Sequence, residues 1–399
     1  MITRTLQPVA LRLARQYPVV TVTGPRQSGK TTLCRMAFPR AAYVSLEALD
    51  DRQHARNDPR GFLARFTGPV ILDEIQRVPE LLSYIQTSVD ELPRAGRFIL
   101  TGSAQFELLD HVSQSLAGRT ALLKLLPFTY DEAYRRRRPP SLETMLWTGF
   151  YPRIHDRHLD PAEALSFYFE TYVERDVRSL LNIHNLSQFE RFVQLCAGRT
   201  GQILNLSSLG NDCGVTHNTA RAWLSVLEAS YVVCLVRSHH ANFSKRLVKA
   251  PKLYFIDTGL AANLIGIEHP RQLSTHPLRG ALFETFAAVE FLKCRFNDGL
   301  RGNLFYWRDN TGHEADLLLE CGRRIVPVEI KSGQTVCDDF FTGIRFYQKL
   351  NAAAKNAAVV YGGAKDTSRH NTAVVGFRSL EQFYRSALRS NVHTSTGAP

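Results

Sequence analysis

The chain is short of several things. Its seven cysteines, at 34, 196, 213, 234, 294, 321 and 337, include no C-x-x-C pair. That scatter offers neither a zinc site nor a disulfide framework, and an odd number of thiols fits a reducing cytoplasm. The N-terminus has no apolar core of the secretory kind, and no run of about 18 apolar residues occurs, so no membrane association is expected. Internal repeats and low-complexity tracts are absent as well. Negative charge is scarce: 37 acids face 49 lysines and arginines, for a net charge of +12. Such an excess favours a polyanionic partner, and DNA is the expected one.

What is present suits a globular protein. With 399 residues, 44% of them hydrophobic, the chain can build two or three cored domains. Its most informative stretch is Gly24-Pro25-Arg26-Gln27-Ser28-Gly29-Lys30-Thr31-Thr32, which holds the pattern G-x-x-x-x-G-K-T. Gly24 and Gly29 let the backbone turn tightly and approach a phosphate. Loop N–H groups and the following helix N-terminus then point at the anion. Lys30 supplies a charge for the β- and γ-phosphates, and the Thr31 hydroxyl can ligate Mg²⁺. The apolar run Tyr17 to Thr23 predicts a strand before the loop, and Thr32 to Phe38 a helix after it, stopped by Pro39.

Further apolar strands are expected at Val70–Asp73, Phe98–Ser103 and Ala121–Leu126, with a helix over Leu81–Leu92. Alternation of this kind predicts an α/β fold with a parallel sheet over residues 1–130. Asp73 ends a strand where it can hold Mg²⁺, and Glu74 stands where a general base polarises the attacking water. Ser103, with Thr101, ends the next strand as a polar group able to orient that water.

Residues 131–275 read as mainly helical. The run Arg135-Arg136-Arg137-Arg138 marks an exposed edge, and Ala162–Leu181 one long helix. Helices at Ser207–Cys213 and His217–Ala229, then strands at 232–236 and 253–256, form the pattern of a winged helix-turn-helix. There His217, Asn218, Thr219, Arg221, Lys245 and Arg246 are candidates to face nucleic acid. Residues 276–386 predict a second α/β domain, and 387–399 a flexible tail.

At this point the chain resembles a family: bacterial and archaeal AAA-type P-loop ATPases that carry a C-terminal domain of unknown function. The resemblance rests on the loop at 24–32, Leu72-Asp73-Glu74-Ile75-Gln76, Leu100-Thr101-Gly102-Ser103, Ser115-Leu116-Ala117-Gly118-Arg119, Gly149-Phe150-Tyr151-Pro152, Tyr172-Val173-Glu174-Arg175-Asp176 and the stretch Lys245–Leu260. It implies ATP and Mg²⁺ as cofactors and a helical, winged-helix middle. It also makes Arg119 a candidate to contact the γ-phosphate, in cis or across a homo-oligomer, with Arg175 as a weaker alternative.

The C-terminal part holds Glu284 on a helix, Asp316 on a strand and Glu329-Ile330-Lys331 at the end of the next strand. Glu329 and Lys331, two apart, share a face. The ordered set resembles the D…E-x-K motif of restriction-endonuclease-like folds, in which paired acids hold a metal. Three functions are therefore expected in order: an Mg²⁺-dependent ATPase coupled to an unidentified partner, with DNA the favoured one, an ATP-regulated metal-dependent DNA nuclease, and a non-hydrolysing, nucleotide-gated interaction module.

Overall fold

The computed structural model describes residues 2–103, 115–171, 185–239 and 250–389, apart from the single positions 310, 323, 352 and 355. Its first sheet contains β1 (Val19–Gly24), β2 (Ala42–Ser45), β3 (Val70–Asp73), β4 (Phe98–Ser103) and β5 (Thr120–Lys124). The order is β2-β3-β4-β1-β5 and every pairing is parallel. Helices cover both faces, so β1, β3 and β4 are buried throughout and read as unbroken apolar runs. Along β1, Val19 enters one core with Leu72, Phe98, Leu81 and Ile85. Val20 and Val22 enter the opposite core with Leu6, Leu33, Ile71 and Ile99. Because β1 is flanked by β4 and β5, the loop that leaves it lies in the middle of the sheet's carboxyl edge.

The second sheet contains β6 (Gln202–Ile203), β7 (Val233–Ser238), β8 (Lys252–Phe255), β9 (Leu304–Arg308), β10 (Glu314–Cys321), β11 (Arg324–Lys331), β12 (Ala358–Tyr361), β13 (Thr367–Arg369) and β14 (Thr372–Gly376). Its order is β13-β14-β12-β11-β10-β9-β7-β8-β6. The helix pair Leu206–Cys213 and His217–Ala229 feeds into β7. Gly214, at φ +73°, ends the first helix, and Thr216 caps the second by accepting from the Thr219 N–H at 3.1 Å. β6, β8 and β7 pair antiparallel behind these helices. β7 then pairs in parallel with β9 through Arg237 with Phe305 and Ser238 with Tyr306. The strands of the helical region and those of the C-terminal region thus share one sheet across the boundary expected near residue 275.

The helix Arg279–Asn297, buried along most of its length, ties both sheets together. Its Lys293 Nζ donates to the Phe128 carbonyl at 2.8 Å, and its Glu290 accepts from the Tyr130 N–H at 2.7 Å. Nearby, Asp257 accepts from the Phe150 N–H at 2.6 Å and caps the helix Thr258–Leu264. The Asp257 carboxyl lies where a Cβ on Gly149 would stand, and Gly149 has φ +65°. Glycine is required there on both counts.

Three elements differ from expectation. The long helix expected over 162–181 is seen as Pro161–Tyr168, and residues 172–184 lie outside the described residues. The helix Leu380–Arg389 enters the segment expected as tail, because Leu380 and Tyr384 are buried against the main core. The hairpin β13–β14 was not expected, since β13 is three exposed residues with no apolar pattern.

Candidate nucleotide site

The phosphate-type loop leaves β1 at Gly24. A Cβ there would collide with the Leu125 carbonyl, and φ is +152°, so the turn needs glycine. Gln27 takes φ +61°, and Gly29 takes the left-handed conformation at φ +89° just before the helix Lys30–Ala37. That helix has no side-chain N-cap, which leaves its first N–H groups to the loop. The Ser28 hydroxyl, within the loop, is buried with no hydrogen-bond partner.

Lys30 is 6% exposed, and its ammonium donates to the carbonyls of Gly24 at 3.0 Å and Pro25 at 2.8 Å. Burial pulls its pKa down to about 8, against the opposing charges of Glu74 and Asp73, while Arg26 in the loop lowers it further. Thr31 donates to Asp73 Oδ2 at 2.9 Å. The same oxygen accepts from Tyr43 at 2.8 Å, and Thr101 donates to Asp73 Oδ1. Thr32 is exposed on the first helical turn.

Beyond Asp73 the chain turns sharply. Glu74 is left-handed at φ +57°, held by the 3₁₀ turn Ile75–Arg77 whose Ile75 is fully buried. Gln76 donates to Glu74 Oε2 and, at 3.0 Å, to Ser103 Oγ. Ser103 pairs in register with Gly24. Gly24 to Thr32, Asp73, Glu74, Thr101 and Ser103 therefore converge on one edge of the sheet.

Arg119 does not join them. It precedes β5 and its carbonyl accepts from the Val19 N–H, at the start of β1. Gly24 lies five residues further along β1 than Val19, about 16 Å away. The guanidinium pairs instead with Asp90, donating from Nη2 at 2.8 Å. Parallel strand direction thus puts Arg119 at the opposite edge of the sheet from the loop. Arg175, Lys245 and Arg246 lie outside the described residues.

Sequence reasoning missed several neighbours. Arg4, 5% exposed, donates to the carbonyls of Ser28 at 2.6 Å and Leu126 at 2.7 Å, and pairs with Glu132 at 3.1 Å. It staples the loop to the segment after β5. Tyr231 OH lies 3.4 Å from Thr23 Oγ1, a contact between the turn before β7 and the residue before Gly24. Beside Gln27 opens a cavity of about 350 Å³ lined by Tyr151, Ile154, Leu165, Phe167 and Tyr168. Only Tyr151, within the Gly149–Pro152 motif, carried a sequence signal.

The C-terminal acids do come together, but with lysines among them. Glu329 and Lys331 are 2.6 Å apart, and Asp316 is 3.5 Å from the same ammonium. Glu284 accepts from Lys252 at 2.8 Å and Tyr254 at 2.7 Å, and Glu314 stands 2.6 Å from Lys252. Lys252 belongs to β8 and is 3% exposed. Burial disfavours its charge, yet Glu284, Asp316 and Glu314 outweigh that and hold its pKa above the usual lysine value. Burial and the Asp316 charge push Glu329 up to about 8. Among the described residues no three metal-binding groups are arranged to hold an ion.

These features define a P-loop ATPase domain joined to two further regions. An AAA domain family matches residues 16–134, and domains of unknown function match residues 139–271 (DUF8612) and 279–380 (DUF4143). The uncharacterized proteins Rv2008c of Mycobacterium tuberculosis and Mb2031c of Mycobacterium bovis are each 32% identical over 329 residues, covering 81% of this chain and 72% of theirs. Among solved structures, the Walker-type ATPase PABY2304 of Pyrococcus abyssi is 15% identical, with a TM-score of 0.45 over 65% of this chain and 94% of that one. A RuvB variant of Thermotoga maritima is 16% identical, with a TM-score of 0.27 over 58% of this chain and 87% of that one. The chain belongs to the family of AAA-domain ATPases that includes the two mycobacterial proteins and that carries a C-terminal domain of unknown function. Among the described residues no helix is long and apolar enough to cross a membrane.

Proposed function

We propose that the protein is an Mg²⁺-dependent ATPase whose turnover is coupled to DNA through its helix–turn–helix region. One observation carries the hydrolytic part: Lys30, Thr31, Asp73, Glu74 and Ser103 meet at the edge where β1 delivers its loop. Lys30 and the loop N–H groups hold the phosphates. The cavity beside Gln27, lined by Tyr151, Tyr168, Phe167 and Arg153 among others, takes the base.

The donor set fits a hard cation: a hydroxyl and a carboxylate already in contact, Thr31 and Asp73, and the Ser28 hydroxyl of the same loop is buried with no partner. Thr31 and Asp73 would hold Mg²⁺, which would supply positive charge against the β- and γ-phosphates. Glu74 takes a proton from the attacking water, and Ser103 orients the phosphate or that water.

Net charge supports a polyanionic partner, as does Arg221, exposed on the helix His217–Ala229. In this reading the C-terminal acid pocket serves as an ionic joint, its carboxylates facing Lys252 and Lys331. An ATPase assay with and without duplex DNA tests the proposal. Turnover that Lys30→Ala leaves intact would overturn it, and turnover indifferent to DNA would remove the partner. Glu329-dependent cutting of plasmid in Mg²⁺ or Mn²⁺ would restore the nuclease reading.

A further inference from the structure

Gln76 is two residues past the strand that bears Asp73, yet its side chain returns to the site. The return depends on the backbone. Left-handed Glu74 reverses the chain, and buried Ile75 pins the 3₁₀ turn that follows. A glutamate gains nothing from that conformation by itself, so surrounding contacts must impose it. Gln76 supplies one of them. Its single amide nitrogen donates both to Glu74 Oε2 and to Ser103 Oγ at 3.0 Å. Its Oε1 is buried and has no hydrogen-bond partner.

We propose that Gln76 is a positioning residue for hydrolysis, which fixes the Glu74 carboxylate against the end of β4 and links it to Ser103. The inference rests on the reading of Glu74 as the general base. An amide donor on Oε2 fixes the carboxylate plane and leaves Oε1 to receive a proton from water. Ser103 Oγ accepts from Gln76, so its own O–H is directed elsewhere, and β4 carries it beside Gly24 where the phosphates would lie. A γ-phosphate accepting from Ser103 would thus be sensed at Glu74 through one intervening side chain. Gln76 suits the task because it is neutral. A glutamate there would repel Glu74, and an alanine would leave the carboxylate unrestrained. The orphaned Gln76 Oε1 adds a second acceptor for an O–H donor at the same spot.

The test separates binding from turnover in full-length protein. Gln76→Ala should bind a non-hydrolysable ATP analogue with Kd within about threefold of wild type, while kcat falls by about 10²-fold, the cost of a misplaced catalytic group. KM should hardly move. Gln76→His, which keeps one donor at similar reach, should recover at least about tenfold of the loss if orientation of the base is the cause. Ser103→Ala should lower kcat less than Gln76→Ala. Wild-type kcat in Gln76→Ala overturns the proposal, as does an equal loss of analogue binding, which would mark Gln76 as merely structural. Glu74→Gln is the separate control. If it hydrolyses ATP normally, the general-base reading fails and not the link to Ser103 alone.

Discussion

Two places in this molecule gather acids and a lysine at strand ends, and they treat charge in opposite ways. At the edge of the first sheet, Lys30 is met by two backbone carbonyls and Asp73 by three hydroxyls, those of Thr31, Tyr43 and Thr101. Neutral partners orient these groups without cancelling them. At the C-terminal pocket, Lys252 lies between Glu284 and Glu314, and Lys331 between Glu329 and Asp316. There each charge is answered by another inside the protein. The first arrangement keeps its charges for a ligand. The second spends them on holding β8 of the helical region against β10 and the helix Arg279–Asn297.

The contrast can be broken most forcefully at Lys252. Lys252→Ala leaves the half-buried Glu284 without its cation, while Glu314 keeps only Arg308, and unfolding stability should fall by about 3 kcal/mol. Urea denaturation measures it. Lys252→Met with Glu284→Gln should recover much of the loss, and an undiminished stability in Lys252→Ala would refute the ionic joint. Lys30→Ala should do the reverse. It should cost about 10²–10³-fold in ATP turnover, as expected for one phosphate-directed donor, while leaving the melting temperature unchanged or higher. Steady-state kinetics and a thermal melt on one sample check both.

A smaller effect sharpens the comparison through pH. The Glu329 carboxyl is raised to about 8 in the fold, against about 4.5 unfolded. The unfolded chain therefore loses this proton first, and the stability it contributes is lost as pH rises from about 4.5 to about 8. Glu329→Gln should flatten that slope in denaturation series at pH 5, 6, 7 and 8, and an identical slope would show that Glu329 is charged throughout. The smallest effect belongs to Arg119. Because it sits at the far end of the strands, Arg119→Ala should leave basal turnover of dilute protein unaltered. A fall in turnover that appears only at high protein concentration would assign Arg119 to a neighbouring subunit's site.

Much of the first site was legible because its signals are local. The loop is contiguous, and β3 and β4 are apolar runs that end in the polar side chains of Asp73 and Ser103. Arg119 shows the limit of such reading. Its motif is compact, but which end of the sheet it occupies depends on strand direction and pairing. Arg4 and Lys252 were opaque for another reason. Arg4 meets Leu126 and Glu132 across more than a hundred residues, and Lys252 meets Glu284 and Glu314 on other elements. Arg4 carries no motif at all, and Lys252, though inside the quoted stretch Lys245–Leu260, shows nothing there of its acidic partners. Gln76 was visible inside a motif, but its reach to Ser103 needed the left-handed turn at Glu74.

The two rungs between β7 and β9 have a practical corollary for anyone dissecting the chain. A fragment ending at residue 275 would present β7 as a raw edge, and the complementary piece would present β9 in the same way. Unsatisfied edges of this kind recruit other chains. The two matched regions of unknown function share one sheet, and deletions meant to isolate either should yield aggregates before they yield answers.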